Sequence, residues 1–288
     1  MIRSFLFYKI GLSLRSKFMI NRIDTTFHRL RENGEAAFVA YVCAGDPDYD
    51  ASLDVVRSLA DAGADIIELG VPFSDPQADG IVNQLAAERA LKAGMSVNKL
   101  MQLIRDFRAT HDTAIVLFTY LNPVYAYGYE RFHADAAAAG ADGILLLDLP
   151  PDEVACNKEL TSAEGLRHIT LISPSTPPAR MQMLAGQSEG FIYALSRMGV
   201  TGAQQAPSAS IGDLVASIKA HTDTPVCVGF GISSPEQASS VAAASDGVVV
   251  GSAIVNQVAK NAGKPNLAKI ISDFTTPLIT ATKNPTQS

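Results

Sequence analysis

Short runs of apolar residues alternate along this chain with longer segments that have helical spacing. The apolar runs are nearly continuous, which is typical of parallel strands buried on both faces. Eight such runs are predicted to be strands, at residues 37–42, 66–70, 115–120, 143–148, 168–173, 191–196, 226–229 and 247–251. The segments between them are predicted to be helices, and in residues 50–62 one stripe carries Leu53, Val56, Leu59 and Ala60.

A short motif of small residues recurs just before several predicted strands. A glycine in such a motif accepts the left-handed conformation that ends many helices. The motif precedes the second, fourth and eighth strands, as Ala62-Gly63-Ala64-Asp65, Ala139-Gly140-Ala141-Asp142 and Ala244-Ser245-Asp246-Gly247. This recurrence indicates a repeated βα unit.

Eight βα units in one chain predict a closed (β/α)8 barrel, the TIM-barrel fold of the α/β class. The chain has 288 residues, and a barrel of this kind typically needs about 250. The sequence lacks the Gly-x-Gly-x-x-Gly motif of dinucleotide-binding folds, which argues against a doubly wound sheet. We expect a single barrel domain at residues 19–277, followed by a polar C-terminal tail at residues 278–288.

Residues 1–18 differ from the rest because they combine apolar and basic side chains without an acid. Lys9 and Gly11 interrupt the apolar stretch, so the segment does not match a secretory signal. An organelle transit peptide fits the composition, but we favour an extension outside the barrel, with Met19 beginning the functional chain. No stretch of the sequence reaches the ~18 apolar residues that a membrane span needs.

The charge distribution gives no sign of a polyanionic partner. The chain is 47% hydrophobic, and its net charge of −6 comes from interspersed acids and bases, so we predict no nucleic-acid binding. The three cysteines, Cys43, Cys156 and Cys227, are far apart and have no histidine at metal-ligand spacing. These features fit a reducing cytoplasm, and they indicate neither a metal site nor a bound cofactor.

The second predicted strand carries a carboxylate among apolar residues. Because side chains alternate along a strand, Ile67, Leu69 and Val71 share the face toward the helices, while Ile66 and Glu68 point into the barrel. A carboxylate in that place is costly unless it is paired, so a buried ion pair is one interpretation. Active sites of these barrels lie at the carboxyl ends of the strands, so we favour a catalytic Glu68 whose pKa is raised by burial.

Two aspartates follow in the next loop, Asp75 and Asp79. Either can be a second carboxylate over the mouth of the barrel. Either can also be a turn or helix-capping residue, which is a common place for aspartate. The residues themselves leave this choice open.

Glycines follow the last two predicted strands. In barrels of this kind a phosphate often lies on the loops after strands seven and eight. Gly229-Phe230-Gly231 allows an anion to approach the backbone closely, and Gly251-Ser252 opens a helical segment whose free N–H groups favour negative charge. We predict that Gly231, Gly251 and Ser252 bind a phosphate rather than form ordinary turns.

The segment around the two carboxylates closely resembles the signature of the tryptophan synthase alpha chain family. It is Glu68-Leu69-Gly70-Val71-Pro72-Phe73-Ser74-Asp75-Pro76-Gln77-Ala78-Asp79-Gly80. Similarity extends over nearly all of residues 19–275, and further family motifs occur in order as Tyr120-x-Asn122-Pro123, Asp148-Leu149-Pro150-Pro151, Ser196-Arg197-x-Gly199-Val200-Thr201-Gly202, Gly229-Phe230-Gly231-Ile232-Ser233 and Gly251-Ser252-Ala253-Ile254-Val255. Several motifs in the right order are far more specific than any one alone.

The resemblance implies a retro-aldol cleavage of indole-3-glycerol phosphate to indole and glyceraldehyde 3-phosphate, with no cofactor. It implies that Glu68 is the acid and base and that Asp79 holds the indole N–H. The apolar slot around the indole would consist of Tyr41, where the family usually has phenylalanine, together with Tyr120, Leu145, Ile172, Tyr193 and Phe230. Residues 198–210 are similar to the family's mobile loop, in which Thr201 would orient Asp79 and Gly202 would contact the substrate.

The resemblance also implies a partner, the tryptophan synthase beta chain, in an α2β2 complex. Pyridoxal phosphate would belong to that partner, and the loop at residues 72–75 would face it. Gln77, Asn83 and Met198 depart from the family pattern, which puts substrate fit and partner contact in doubt. Another phosphate-binding barrel enzyme, a free-standing indole-releasing lyase and a non-catalytic activating barrel remain as alternatives.

Overall fold

The computed structural model describes residues 21–196, 208–229 and 231–285, and there it shows a closed barrel of eight parallel strands. The strands pair in sequence order, and the eighth closes against the first. They are β1 (Ala37–Cys43), β2 (Ile66–Gly70), β3 (Ala114–Thr119), β4 (Gly143–Leu146), β5 (Arg167–Ile172), β6 (Ile192–Leu195), β7 (Val226–Gly229) and β8 (Gly247–Val250). The predicted (β/α)8 barrel is confirmed, whereas the predicted extension at residues 1–18 lies outside the described residues.

Twelve α-helices surround this barrel within the described ranges. They are α1 (Arg22–Asn33), α2 (Tyr49–Asp61), α3 (Ile81–Lys92), α4 (Val97–Arg108), α5 (Leu121–Tyr127), α6 (Tyr129–Ala139), α7 (Val154–Ala163), α8 (Pro178–Gln187), α9 (Ser208–Lys219), α10 (Pro235–Ala242), α11 (Ser252–Asn261) and α12 (Leu267–Lys283). None of these helices is long and apolar enough to cross a membrane.

Several predicted strands extend too far toward their carboxyl ends. The sequence predicts Tyr120 and Gly251 as the last residues of their strands, but each is the N-cap of the helix that follows. The backbone leaves the sheet there because the carboxyl ends of the strands open into the loops that form the mouth. The apolar part of each predicted run therefore forms the strand, and the polar residue or glycine at its end lies at the mouth of the barrel.

Apolar side chains of the strands divide into an interior and a wall. The outward-facing residues pack against the helices in one large buried cluster. The interior is filled by a second cluster of Ala37, Val39, Ile66, Ala114, Val116, Leu145, Ile169, Phe191, Cys227 and Val249. Helix α1 closes the amino-terminal end of this interior with Ile23, Phe27 and Leu30, and the rings of Phe27 and Phe191 lie 5.9 Å apart. In the described part of the chain, the interior is therefore closed at its amino-terminal end.

The recurring motif before the strands has a common structural role. Asp65, Asp142 and Asp246 each accept a hydrogen bond from the main-chain N–H of the preceding strand, at 2.9, 2.8 and 2.7 Å respectively. Each also donates its own N–H to the carbonyl of that same strand residue. A carboxylate that accepts from a buried N–H satisfies a group that would otherwise be costly. The aspartates thus fix the register of neighbouring strands at the closed end of the barrel.

The expectation of a polar tail from residue 278 is wrong. Helix α12 continues to Lys283 and contains Pro277, while Leu278 and Ile279 are buried against neighbouring helices. Lys283 donates a 3.0 Å hydrogen bond to the carbonyl of Ala36 and forms an ion pair with Asp65. Proline usually ends a helix, but packing of the apolar face on α2 and α10 retains the helix beyond it.

Candidate active site

Glu68 occupies the middle of β2 and points into the barrel. Its sheet neighbours are Tyr41 on β1 and Val116 on β3. Ile66, two residues earlier, belongs to the interior cluster, and Ile67 and Leu69 belong to the wall. The strand alternation expected from the sequence is therefore confirmed.

The Glu68 carboxyl group is buried without compensation. The residue is fully inaccessible to solvent, and neither carboxyl oxygen has a hydrogen-bond partner in the described part of the chain. Among the described residues no cation pairs with Glu68, so the structure does not support the alternative of a buried ion pair. Burial in a low-dielectric interior disfavours the charged form, and it raises the pKa of Glu68 from its ordinary 4.5 to about 8. The side chain is consequently a neutral acid at pH 7 that can ionise within the accessible pH range.

This buried acid is expected to make the fold less stable as pH rises. The folded-state pKa lies near 8, so between pH 4.5 and 8 the native state retains a proton that the unfolded chain has released. The free energy of unfolding then falls across that window and levels off above it. One pKa unit corresponds to about 1.4 kcal/mol, so the loss amounts to several kcal/mol.

Urea unfolding of the wild type and of Glu68→Gln, at about pH 5 and about pH 9, measures this contribution. The wild type should lose several kcal/mol more than the variant over the same interval, because glutamine does not ionise. Equal pH dependence in the two proteins would mean that Glu68 is not titrating in the interior.

Asp79 is held at the edge of the mouth by Tyr120. The Tyr120 hydroxyl donates to Asp79 Oδ2 at 2.8 Å and accepts the main-chain N–H of Ala78 at 3.0 Å. Partial burial raises the pKa of the Asp79 carboxyl, and the hydrogen bonds from Tyr120 and Asn83 oppose that rise. The N-cap of α3 is Gly80, which makes no side-chain cap, so the structure does not support a helix-capping role for Asp79.

Asp75 has different surroundings in the same loop. It is exposed and accepts a hydrogen bond from the hydroxyl of Ser74, while its carbonyl accepts the N–H of Gln77 at 2.9 Å. These local contacts are those of a turn residue. Of the two aspartates, Asp79 alone contacts a side chain from another strand end among the described residues, which favours it as the second carboxylate over the mouth.

Aromatic rings surround the interior above Glu68. The Tyr41 ring packs edge to face on Phe118, at 5.2 Å between centroids, and Phe118 lies 6.5 Å from Tyr193. Burial first, and then the charge of Glu68, raises the pKa of Tyr193, which places the two groups in one interior. Sequence reasoning missed Phe118, although its inward position follows from Val116 two residues earlier. Leu145 lies in the same interior cluster.

Two strand glycines leave room for these rings. A Cβ on Gly70 would lie 2.4 Å from the Tyr41 hydroxyl oxygen, and a Cβ on Gly229 would lie 2.7 Å from that of Tyr193. Real Cβ atoms do not approach other atoms that closely. Larger residues at these positions would therefore displace the tyrosines that line the slot.

The structure places Ile172 on the opposite face from the slot. Its side chain is fully buried in the wall cluster, as is that of its sheet neighbour Ala194. Leu171 pairs with Tyr193 and has the inward parity instead. Only alternate side chains of a strand share one face. Ile172 therefore belongs to the barrel wall, and its predicted place in the slot is wrong.

The predicted phosphate-binding positions lie at the carboxyl ends of β7 and β8. Gly231 has a φ of 78°, a conformation that favours glycine. Gly251 is the N-cap of α11 and Ser252 is its first residue, so the free N–H groups of a ten-residue helix begin there. A Cβ added at Gly251 would lie 3.4 Å from the Cβ of Tyr41. This helix start therefore adjoins the interior that contains Glu68.

Some predicted site residues lie outside the described residues. These are Met198, Thr201 and Gly202 in the expected loop, and Phe230 in the expected slot. Residues 208–210, predicted to end this loop, belong to helix α9, which begins at Ser208. Among the residues that are described, no three histidine, cysteine, aspartate or glutamate side chains cluster as possible metal ligands.

Comparisons with known proteins agree on one family. A sequence model of the family "Tryptophan synthase alpha chain" matches residues 27–276. The tryptophan synthase alpha chain of Desulfatibacillum aliphaticivorans is 45% identical over 261 residues, covering 91% of this chain and 98% of that protein. The corresponding chain of Opitutus terrae is 47% identical over 246 residues, covering 85% and 92%. The crystal structure of tryptophan synthase subunit alpha from Legionella pneumophila superposes with a TM-score of 0.85 at 35% identity, covering 92% of this chain and 99% of that one.

Proposed function

Because this chain belongs to the tryptophan synthase alpha chain family, we propose that Glu68 and Asp79 catalyse the reaction of that family. The chain is a lyase of tryptophan biosynthesis that cleaves indole-3-glycerol phosphate to indole and glyceraldehyde 3-phosphate. The observation that supports these two residues best is a buried, unpartnered carboxyl on the interior wall, below a second carboxyl that Tyr120 fixes at the mouth.

Glu68 transfers a proton in each of two steps. Its carboxyl group first protonates the ring carbon that bears the glycerol phosphate chain. The resulting carboxylate then removes the proton of the hydroxyl group on the adjacent side-chain carbon, the carbon–carbon bond breaks, and its electron pair returns to the ring. Because its pKa is near 8, Glu68 is protonated at the start of this sequence at neutral pH.

Asp79 acts on the ring nitrogen. Protonation of the ring carbon leaves positive charge that is shared with the N–H group. A carboxylate fixed beside that N–H stabilises the charge as it develops. The 2.8 Å hydrogen bond from Tyr120 holds Oδ2 of Asp79, and the remaining lone pairs of the carboxylate would accept the ring N–H. Tyr41, Tyr193 and Leu145, and Phe230 by resemblance, would enclose the indole ring.

The phosphate of the substrate would bind at Gly231, Gly251 and Ser252. N–H groups at the start of a helix attract an anion through hydrogen bonds and the helix dipole. Binding there anchors the remote end of the substrate, which positions the reacting carbon over Glu68.

Ser252→Asp is expected to raise KM by about tenfold or more, because a carboxylate at the helix start repels the phosphate. The same change should leave stability equal or slightly higher, because an acid is favourable in the first turn of a helix. Ser252→Asn is the matched neutral control and should change KM much less. The measurements are steady-state kinetics and the affinity for glycerol 3-phosphate. An unchanged KM in Ser252→Asp would contradict the phosphate assignment.

The surface beside the mouth supports a partner. Ile81 and Leu85 lie one turn apart on α3 and are 65% and 45% exposed. Phe73 and Leu91 line an adjoining depression. Apolar side chains exposed together often mark an interface. We assign this face, with the loop at residues 72–75, to the tryptophan synthase beta chain in an α2β2 complex.

That partner would hold pyridoxal phosphate, whereas the alpha reaction needs no cofactor. We further propose that the protein works in the cytoplasm. Cys43, Cys156 and Cys227 are all free, and the cytoplasm keeps cysteine thiols reduced. Gln77 and Asn83, which depart from the family pattern, lie next to the proposed interface and the second carboxylate. Cleavage of the substrate and binding of the beta chain are therefore both to be measured directly.

Indole release from indole-3-glycerol phosphate by the purified full-length chain, with and without a beta chain, tests the function. We expect slow release alone and faster release with the beta chain. Activity that the beta chain leaves unchanged would favour a free-standing lyase. Stimulation of the beta chain without any cleavage by this chain would favour a non-catalytic activator. Membership of the tryptophan synthase alpha chain family excludes the alternatives of a sugar-phosphate epimerase and an indole-glycerol-phosphate synthase.

A further inference from the structure

Asn83 contacts the second carboxylate from the first turn of α3. Its side-chain Nδ2 lies 3.4 Å from Asp79 Oδ1. Tyr120 donates to the other carboxylate oxygen, Oδ2. The Asn83 Oδ1 atom is buried and has no hydrogen-bond partner among the residues that the structure describes. Asn83 therefore meets Asp79 with one end of its amide and leaves the other end unsatisfied.

The orientation of this amide follows from the charge beside it. An asparagine has one donor end and one acceptor end. With a carboxylate as neighbour, the donor must face Asp79, since the reverse orientation would oppose two acceptors. The Oδ1 atom is then directed into a place with no donor, which is unfavourable.

An apolar residue would suit this position better for stability alone. Asparagine is a weaker helix former than leucine, and a buried acceptor without a donor adds to the cost. Neighbouring Gln84 makes a structural contact instead, because its side chain donates to the main-chain carbonyl of Asp79 at 2.8 Å. Asn83 alone on this helix bonds the carboxylate of Asp79 in the described structure.

We propose that Asn83 is a positioning residue, which together with Tyr120 clamps the carboxylate of Asp79 in its charged form and in one orientation. The inference rests on the proposed catalytic role of Asp79. Two donors on the two oxygens of one carboxylate restrict its rotation and favour ionisation. The hydrogen bond from Asn83 is one of the causes that lower the pKa of Asp79 against the effect of burial.

Among the residues that the structure describes, the other titratable groups that face Asp79 are neutral where it titrates. Tyr41 and Cys43 approach it from β1, and Tyr193 approaches it from β6. Burial raises the pKa of each of these three groups far above neutrality. Tyr120 likewise has a raised pKa, by burial and by its bond to Asp79. Glu68 loses its proton near pH 8, and the ionisation of the substrate phosphate is the same for every variant, so a shift of the acid limb between variants reports on Asp79.

The test is the pH profile of kcat/KM for indole-3-glycerol phosphate in full-length wild type, Asn83→Leu and Asn83→Ala. Loss of one donor should move the acid limb upward by about half a pH unit or more, which lowers kcat/KM about threefold at a pH on that limb. Loss of orientation should lower kcat at pH 7 by about three- to tenfold. Affinity for glycerol 3-phosphate should not change, and the thermal midpoint of Asn83→Leu should be equal or higher.

Gln84→Leu is the matched control because it removes an amide from the next residue of α3 without touching the carboxylate. Its acid limb should coincide with that of the wild type. The inference is overturned if the limb is unmoved in both Asn83 variants, or if Gln84→Leu moves it equally. Asp79→Asn, run in parallel, separates the two proposals. If it keeps the wild-type profile, the role of Asp79 itself fails; if it removes the limb while the Asn83 variants do not move it, only the role of Asn83 fails.

Discussion

Replacement of Glu68 by glutamine is expected to lower the rate of indole release by at least ~10²-fold, with the barrel intact. Glutamine has nearly the same shape as glutamic acid but can neither give a proton to the ring carbon nor remove one from the side-chain hydroxyl. The interior offers no replacement, because the carboxyl oxygens of Glu68 have no partner in the described structure that could take over the proton. Both chemical steps should therefore slow.

The Glu68→Gln experiment carries its own controls. The variant should bind glycerol 3-phosphate as the wild type does, because the proposed phosphate site lies at the ends of β7 and β8. It should also unfold cooperatively and, at about pH 9, with higher stability than the wild type, since no buried charge forms. Indole formation at a near-normal rate in a folded variant would remove Glu68 from the mechanism.

Replacement of Asp79 by asparagine is expected to cause a loss of about 10²-fold in kcat, with little change in phosphate affinity. The amide carries no charge to stabilise the ring N–H. It also presents an NH2 group to one of two donors, because Tyr120 and Asn83 bond opposite oxygens of the carboxylate. The variant therefore loses both the charge and the clamped orientation.

Asp75→Asn is the matched control for Asp79→Asn. It makes the same chemical change in the same loop, at an exposed aspartate whose hydrogen bonds in the described structure are with Ser74 and Gln77. The rate of the isolated chain should remain near that of the wild type. Equal losses in the two variants would indicate a general disturbance of the loop rather than a role for one carboxylate.

Much of the site was predictable because it rests on strand alternation. Once β2 is recognised, Glu68 must share a face with Ile66 and not with Ile67. The same rule would have excluded Ile172 from the slot. Because Ile172 ends an apolar run, however, the sequence of β5 does not show which of its residues face inward. The parity follows only from the register that pairs Leu171 with Tyr193.

The choice between Asp75 and Asp79 needed the folded chain. Both lie in a loop rich in turn-forming residues, and local sequence favours neither. Tyr120 follows β3, far away in sequence, and it reaches Asp79 only because β2 and β3 are adjacent in the closed barrel. The contact of Asn83 with Asp79 likewise depends on how α3 leaves that loop.

The sequence alone determined the barrel, the inward direction of Glu68 and the family. Apolar runs, helical periodicity and repeated caps are properties of neighbours along the chain, so they can be seen without coordinates. The tertiary structure decided which aspartate is held, which face Ile172 takes and how far α12 continues beyond Pro277. Each of these depends on contacts between segments distant in sequence, whose energies arise only when strand register and barrel closure bring those segments together.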